Sequence, residues 1–187
     1  VQVDNNTDEM LQDSYAAAQE RGIPWTTHAS QSVVEFNIMI ERHGKTPIQY
    51  LADLGLLGRG TILGHAMLID DNDWVGWHSK TDLKLLGDSQ TGVAHCPTPF
   101  MRYGTILQDF GRYRAAGVVL GVGTDTIPHN YIEDLRYAAI LARVASHDGH
   151  AARTADVFHA GTVGGADSLM RSALGRLAVG AKADIVV

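Results

Sequence analysis

Four residues in this sequence join chemistry-bearing side chains to a regular spacing: His28, His65, His95 and Asp125, separated by 37, 30 and 30 residues. Each lies at the end of a short, largely apolar run: IPWTTH (23–28), GTILGH (60–65), TGVAHCP (91–97) and GVVLGVGTD (117–125). A carboxylate at the end of such a run is costly unless something pairs with it. Imidazole and carboxylate ligands from separate strands suit Zn²⁺, Fe²⁺ or another divalent ion that activates water. Metal-bound water can ionise near neutral pH, and a carboxylate beside it can take the proton. In that scheme His28 and Asp125 are ligands, Asp125 doubles as the base, and His65 polarises the substrate or orients the hydroxide. Two protein ligands are too few for a catalytic site, so further ligands are required. His95 and His129 are candidates to line the pocket. The bland alternatives are hydrogen bonding to a neighbouring loop for His95 and turn chemistry for His129.

The elements that must carry these residues alternate in type. Each run is rich in Val, Ile, Leu and Thr and flanked by Gly or Pro, the pattern of a buried strand. Helical patterns precede them, at 8–21 with Gly22 as a C-cap, in two parts before residue 60, at about 71–88, and at 105–116. Thr46-Pro47 makes an Ncap–N1 pair at the break of the two-part region. Further helical patterns follow at about 130–146 and 154–170. Strands alternating with helices of this size imply right-handed βαβ units and a parallel sheet. Polar groups at matching C-terminal strand ends favour a (β/α)8 barrel, where those ends meet at one mouth. An open doubly wound sheet would spread them along a crevice. Trp74 and Trp77, three apart, read as layer packing on a helix. His43, His78, His147, His150 and His159 read as solvated or structural.

Composition narrows the function class. With 45% hydrophobic and 19% charged residues, the chain has the balance of a globular domain rather than a disordered one. A formal net charge of −6 argues against a nucleic-acid or anionic-membrane partner. The single cysteine, Cys96, excludes an internal disulfide framework and fits a cytoplasmic location. No apolar run approaches the roughly 20 residues of a membrane span. The N-terminus has neither a signal core nor an initiator Met, so the chain is expected to begin partway into a larger protein.

The ordered set THASQS, TILGHAMLIDDND, TGVAHCPTP, GVVLGVGTD and LGRLAVGAKADIVV resembles the amidohydrolase superfamily. The likeness is to its cytosine deaminase, guanine deaminase and triazine hydrolase branch. The resemblance implies an α/β chain that forms the C-terminal half of a (β/α)8 barrel and runs into a small β-sandwich. Residues 1–173 would be the half-barrel and 174–187 the return into the sandwich. It also implies that His28 and Asp125 match the family's metal-binding His and Asp, and that His65 matches the histidine that contacts hydroxide or substrate. AHCPTP is similar to a segment that shapes the pocket.

This chain departs from the family in three places. The family's His-x-His pair after the first strand has no counterpart here, and the first four strands are absent. The deaminases carry Glu three residues after the metal-binding His, where this chain has Gln31. That Glu shuttles a proton, which an amide cannot do. Thr98-Pro99-Phe100 stands where Ser-Asn is usual.

The expectation is a metal-dependent hydrolase that acts on a carbon–nitrogen bond of a small heterocyclic substrate. Deamination, dechlorination-type displacement and opening of a cyclic amide all qualify. Catalysis would rest on His65, Asp125 and Gln31, with one divalent ion, Zn²⁺ before Fe²⁺. The contrasting expectation is a non-catalytic amidohydrolase-like fragment without its N-terminal ligands. Four strands of an eight-stranded barrel leave open edges, which predicts pairing with a second copy (a homo-oligomer) or with an N-terminal half.

Overall fold

The computed structural model describes residues 2–185. Helix α1 (Asp8–Glu20) starts at Thr7, whose hydroxyl accepts the Met10 N–H, and leads into strand β1 (Trp25–Ala29). Helix α2 (Val33–His43) is capped by Ser32 and closed by Gly44 at φ 66°, a left-handed position suited to glycine. Thr46 caps α3 (Pro47–Asp53), and Pro47 occupies the first turn, as the sequence predicts. Then come β2 (Thr61–His65), α4 (Asp82–Ser89), β3 (Gly92–His95), α5 (Pro97–Met101), α6 (Phe110–Ala115) and β4 (Val119–Val122). The long α7 (Tyr131–Ser146), α8 (Thr154–His159), a π-helical turn (Ala160–Gly164) and α9 (Gly165–Ser168) follow.

The strands form one parallel sheet in the order β1-β2-β3-β4. Leu63, Val93 and Leu120 of its three later strands are buried and share a core with Met39, Leu51, Leu86, Phe110 and Ala138 of the helices. The opposite face is more open: Thr26 is exposed, and His28, Ile62, Gly64 and Ala94 are half-buried. A helical layer on one face and strand ends aligned at one edge make a partial (β/α)8 barrel. Close packing completes it at β4. A Cβ on Gly164 would sit 2.3 Å from the Leu120 carbonyl oxygen, so only glycine lets the π-helical turn lie on the strand.

Two of the expected helical patterns are shorter in the structure. Residues 71–81 form turns rather than a helix, and α4 begins only at Asp82. Side-chain bonds to the backbone hold this loop instead. Asp70 Oδ2 accepts the Thr81 N–H, the Asp82 N–H and the Ser79 hydroxyl, while Asp82 Oδ2 accepts the Asp70 N–H. Trp74 and Trp77 therefore lie on a loop, Trp74 exposed and Trp77 edge-on to Phe36. Residues 105–109 are likewise non-helical, because Asp109 caps α6 by accepting the Arg112 N–H. Residues 174–185 contain turns and no strand, and the final two residues of the ending DIVV lie outside the described residues.

The Asp70–Asp82 arrangement has a pH consequence. Burial, with Asp70 adding to it, raises Asp82 from 3.8 to about 7. A carboxyl held above its unfolded value binds its proton more tightly when folded. Its contribution therefore favours folding below the unfolded value and is lost as pH rises through about 7. Asp82→Asn removes that titration. In the intact protein, the variant's urea midpoint should vary less than the parent's between about pH 4 and pH 8. Equal pH profiles for the two proteins would refute the assignment.

Candidate active site

The C-terminal ends of β1 and β2 and the loop after β4 bring three of the expected residues together. The His28 and His65 ring centroids are 5.5 Å apart, and His65 Nε2 lies 3.9 Å from Asp125 Oδ2. His28 is paired in register with Gly64, so no side chain on β2 fills the space beside its ring. The Gly64–His65 peptide is cis. Asp125 has φ 57°, a left-handed conformation that Asp tolerates better than most residues. Its side chain is 37% exposed whereas that of His65 is 4% exposed, so the carboxylate is the member of this pair open to solvent.

Electrostatics set the protonation of this cluster. Burial, reinforced by His28 and opposed by Asp125, lowers His65 to about 4. Burial, with His65 nearby, lowers His95 to about 3. Both imidazoles are neutral at pH 7, and a neutral imidazole can donate one N–H. His95, like His65, is buried, and its ring centroid lies 6.3 Å from that of Phe110 on α6. Its Nδ1 has no hydrogen-bond partner among the described residues. His129 is exposed, with Nδ1 3.1 Å from the Thr124 hydroxyl. Gln31 is half-buried in the turn between β1 and α2.

Several contacts around the cluster escape a reading of the sequence. The Phe100 ring packs edge-to-face on His65 at 4.3 Å. Its helix, α5, is held by Asp134 of α7, whose buried Oδ1 accepts both the N–H and the hydroxyl of Thr98. The Tyr113 hydroxyl donates to the Ala66 carbonyl at 2.6 Å, fixing the turn after His65. Glu35 is buried and accepts the Ser30 and Gln31 N–H groups. Burial, only partly offset by those two N–H bonds, lifts it to about 7. The spacing Ser32-x-x-Glu35 is a capping-box signature and could have flagged that residue. No local signal marks Asp134 or Phe100.

The donor types of His28, His65 and Asp125 fit a divalent ion, since imidazole nitrogen and carboxylate oxygen both bind Zn²⁺. Their number does not complete a site. Among the described residues, no group of three or more His, Cys, Asp or Glu side chains could hold a metal ion. No helix among them is long and apolar enough to cross a membrane.

A partial (β/α)8 barrel with a histidine–aspartate cluster at its strand ends is thus the class of structure defined here. Comparison with known proteins gives the family. The sequence profile described as Amidohydrolase family matches residues 4–187. The chain belongs to the amidohydrolase family. It is 28% identical over 183 residues to a 5-methylthioadenosine/S-adenosylhomocysteine deaminase of Natronomonas pharaonis, covering 96% of this chain and 40% of the relative. It is 31% identical over 185 residues to the protein of the same name from Halobacterium salinarum, again covering 96% and 40%. Among solved structures, it resembles an adenosine deaminase from Xanthomonas campestris with bound zinc. That match has a TM-score of 0.86 and 24% identity, over 98% of this chain and 41% of that one. It also resembles an atrazine chlorohydrolase from Arthrobacter aurescens complexed with zinc. There the TM-score is 0.76 with 22% identity, over 91% of this chain and 37% of that one. At these identities the structural likeness speaks for the fold. The chain spans about 40% of the length of the curated relatives it matches.

Proposed function

We propose that this chain is part of a metal-dependent hydrolase acting on a carbon–nitrogen bond, or displacing a ring substituent, of a small heterocycle. The observation that carries this reading is the cluster itself: His28 and His65 rings 5.5 Å apart, and His65 Nε2 3.9 Å from Asp125 Oδ2, at the C-terminal strand ends. The names of the relatives support a heterocyclic substrate, since they include deaminases of adenosine-type compounds and an atrazine chlorohydrolase.

His28 and Asp125 would hold the ion with ligands from outside these residues, and the chemistry it supplies when bound is acidification of water. Asp125, exposed enough to meet solvent, accepts the water proton on its carboxylate. His65, neutral and held in a dry environment, donates an N–H to the negative charge that develops on the ring or leaving group. Gln31 offers an amide that can orient a ring nitrogen but cannot cycle a proton. This division of labour favours displacement or ring opening that needs little ring protonation.

His65→Ala tests the division. The intact enzyme should keep its metal and lose turnover by a factor on the order of 10²–10³, the cost of one positioned donor. Elemental analysis beside kcat decides it. If the variant loses metal as completely as one lacking Asp125, His65 is a ligand and the assignment falls.

A second reading is favoured by Gln31 and by the absence of a three-donor cluster among the described residues. In that reading the half-barrel is a binding module without metal. About one metal per chain in the intact protein supports the enzyme. None after metal-supplemented expression supports the module.

A further inference from the structure

Glu35 lies four residues after Gln31, in the first turn of α2, and its side chain is committed to the backbone. Oε1 accepts the Ser30 N–H at 2.6 Å and Oε2 accepts the Gln31 N–H at 3.2 Å. The residue is 2% exposed, so the carboxylate is turned into the protein. Both oxygens are spent on consecutive amides of the turn after His28, upstream of the Ser32 cap. The same turn is tied on its other side to the segment after His65. The Ser30 carbonyl accepts the N–H groups of both Met67 and Leu68 at 2.9 Å, and the Ala29 carbonyl accepts the Ala66 N–H at 3.0 Å. Ser30 and Ala66 have φ of 55° and 48°, left-handed values that neither residue adopts readily unless its surroundings hold it there.

We infer that Glu35 is a positioning residue: its carboxylate sets the turn that carries Gln31 and, through the Ser30 carbonyl, locks that turn to the segment leaving His65. The inference rests on the reading of Gln31 and His65 as site residues. A buried N–H left without an acceptor is costly, so two adjacent amides specify one carboxylate position. Gln31 hangs from the second of these amides. A loosened turn would leave its side chain spread over several placements, and misplacement by an ångström is enough to slow a reaction substantially.

The test is Glu35→Gln in the intact protein. The variant keeps the shape but has one carbonyl oxygen for two donors and turns an NH₂ toward one of them. Amide hydrogen exchange at Ser30 and Gln31 should quicken by about tenfold or more, the scale of one buried hydrogen bond lost. Exchange in the strands of the sheet should stay near parental rates. On a heterocyclic substrate that the parent turns over, kcat should fall about 10- to 100-fold with KM nearly unchanged. Glu35→Asp, which keeps the charge but withdraws the oxygens by one methylene, should fall between the two and carries the comparison if Glu35→Gln does not fold. Exchange at Ser30 and Gln31 that is unchanged, or that rises in step with the whole sheet, overturns the inference. So does an active parent with an equally active Glu35→Gln. The exchange measurement needs no substrate: a parent without hydrolytic activity would count against the functional reading while the clamp is still decided by exchange.

Discussion

Replacing Asp125 by alanine in the intact enzyme is expected to remove metal and turnover together. The carboxylate is assigned two duties, ligand and proton acceptor, so the variant loses a charge that holds the ion and the base that uses it. General-base loss alone is worth roughly 10²–10⁴ in rate, and metal loss multiplies it, so activity should fall below detection. Asp125→Asn separates the contributions from backbone effects. Asn tolerates the left-handed conformation at φ 57°, where alanine is strained. If Asn and Ala variants both lose metal and turnover, the carboxylate charge is responsible. If the Asn variant retains metal and most activity, Asp125 is neither base nor essential ligand. The partner of this experiment is His65→Ala, which should keep metal. His65 lies 3.9 Å from the Asp125 carboxylate, so the two variants interrogate neighbouring groups with different expected phenotypes.

Gln31→Glu should produce the second large effect, and in the opposite direction. A carboxylate at this position can take a proton from water and deliver it to a ring nitrogen or leaving amine, and an amide cannot. The parent should release little ammonia from cytosine- or guanine-like compounds. The variant should release more by a factor of roughly 10²–10⁴. Gln and Glu are isosteric, and the main-chain N–H of residue 31 is held by Glu35, so the new carboxylate would start from the same backbone frame. Introducing it near Glu35 adds a like charge, which favours a proton on one of the two and so a carboxyl able to donate. An ammonia-release assay over a panel of amino-heterocycles decides the matter. Robust deamination by the parent would show that Gln31 does not limit the chemistry.

Much of this architecture is legible in the residues. Thr46-Pro47 marks the start of α3, Ser32 and Gly44 bracket α2, and β-branched runs flanked by Gly mark all four strands. The region 71–81 was not legible. Its apolar and aromatic residues suggest a helix, yet Asp70 draws N–H and O–H donors from residues 79–82 to one carboxylate oxygen and holds the chain in turns. Those bonds join residues nine to twelve apart, beyond the reach of any local pattern.

The sequence by itself placed His28, His65 and Asp125 at or just past the C-terminal ends of three parallel strands, although β1 runs on to Ala29 and β4 stops at Val122, three residues before Asp125. That follows from strand period, caps and the length of a βα unit, which are local properties of the chain. Only the tertiary structure decided what each side chain meets there. His95 ends its strand as His65 does and both are buried, yet the His65 ring packs against Phe100 and the His95 ring lies near Phe110 of α6. Glu35, one turn into α2, faces inward to two backbone amides rather than outward to the mouth. Phe100 covers His65 from the short helix α5, which Asp134, 36 residues from Thr98, holds in place. Side-chain direction at a strand end is settled by packing and by buried hydrogen bonds between elements distant in sequence, and buried donors and acceptors can be paired only once the chain has closed around them.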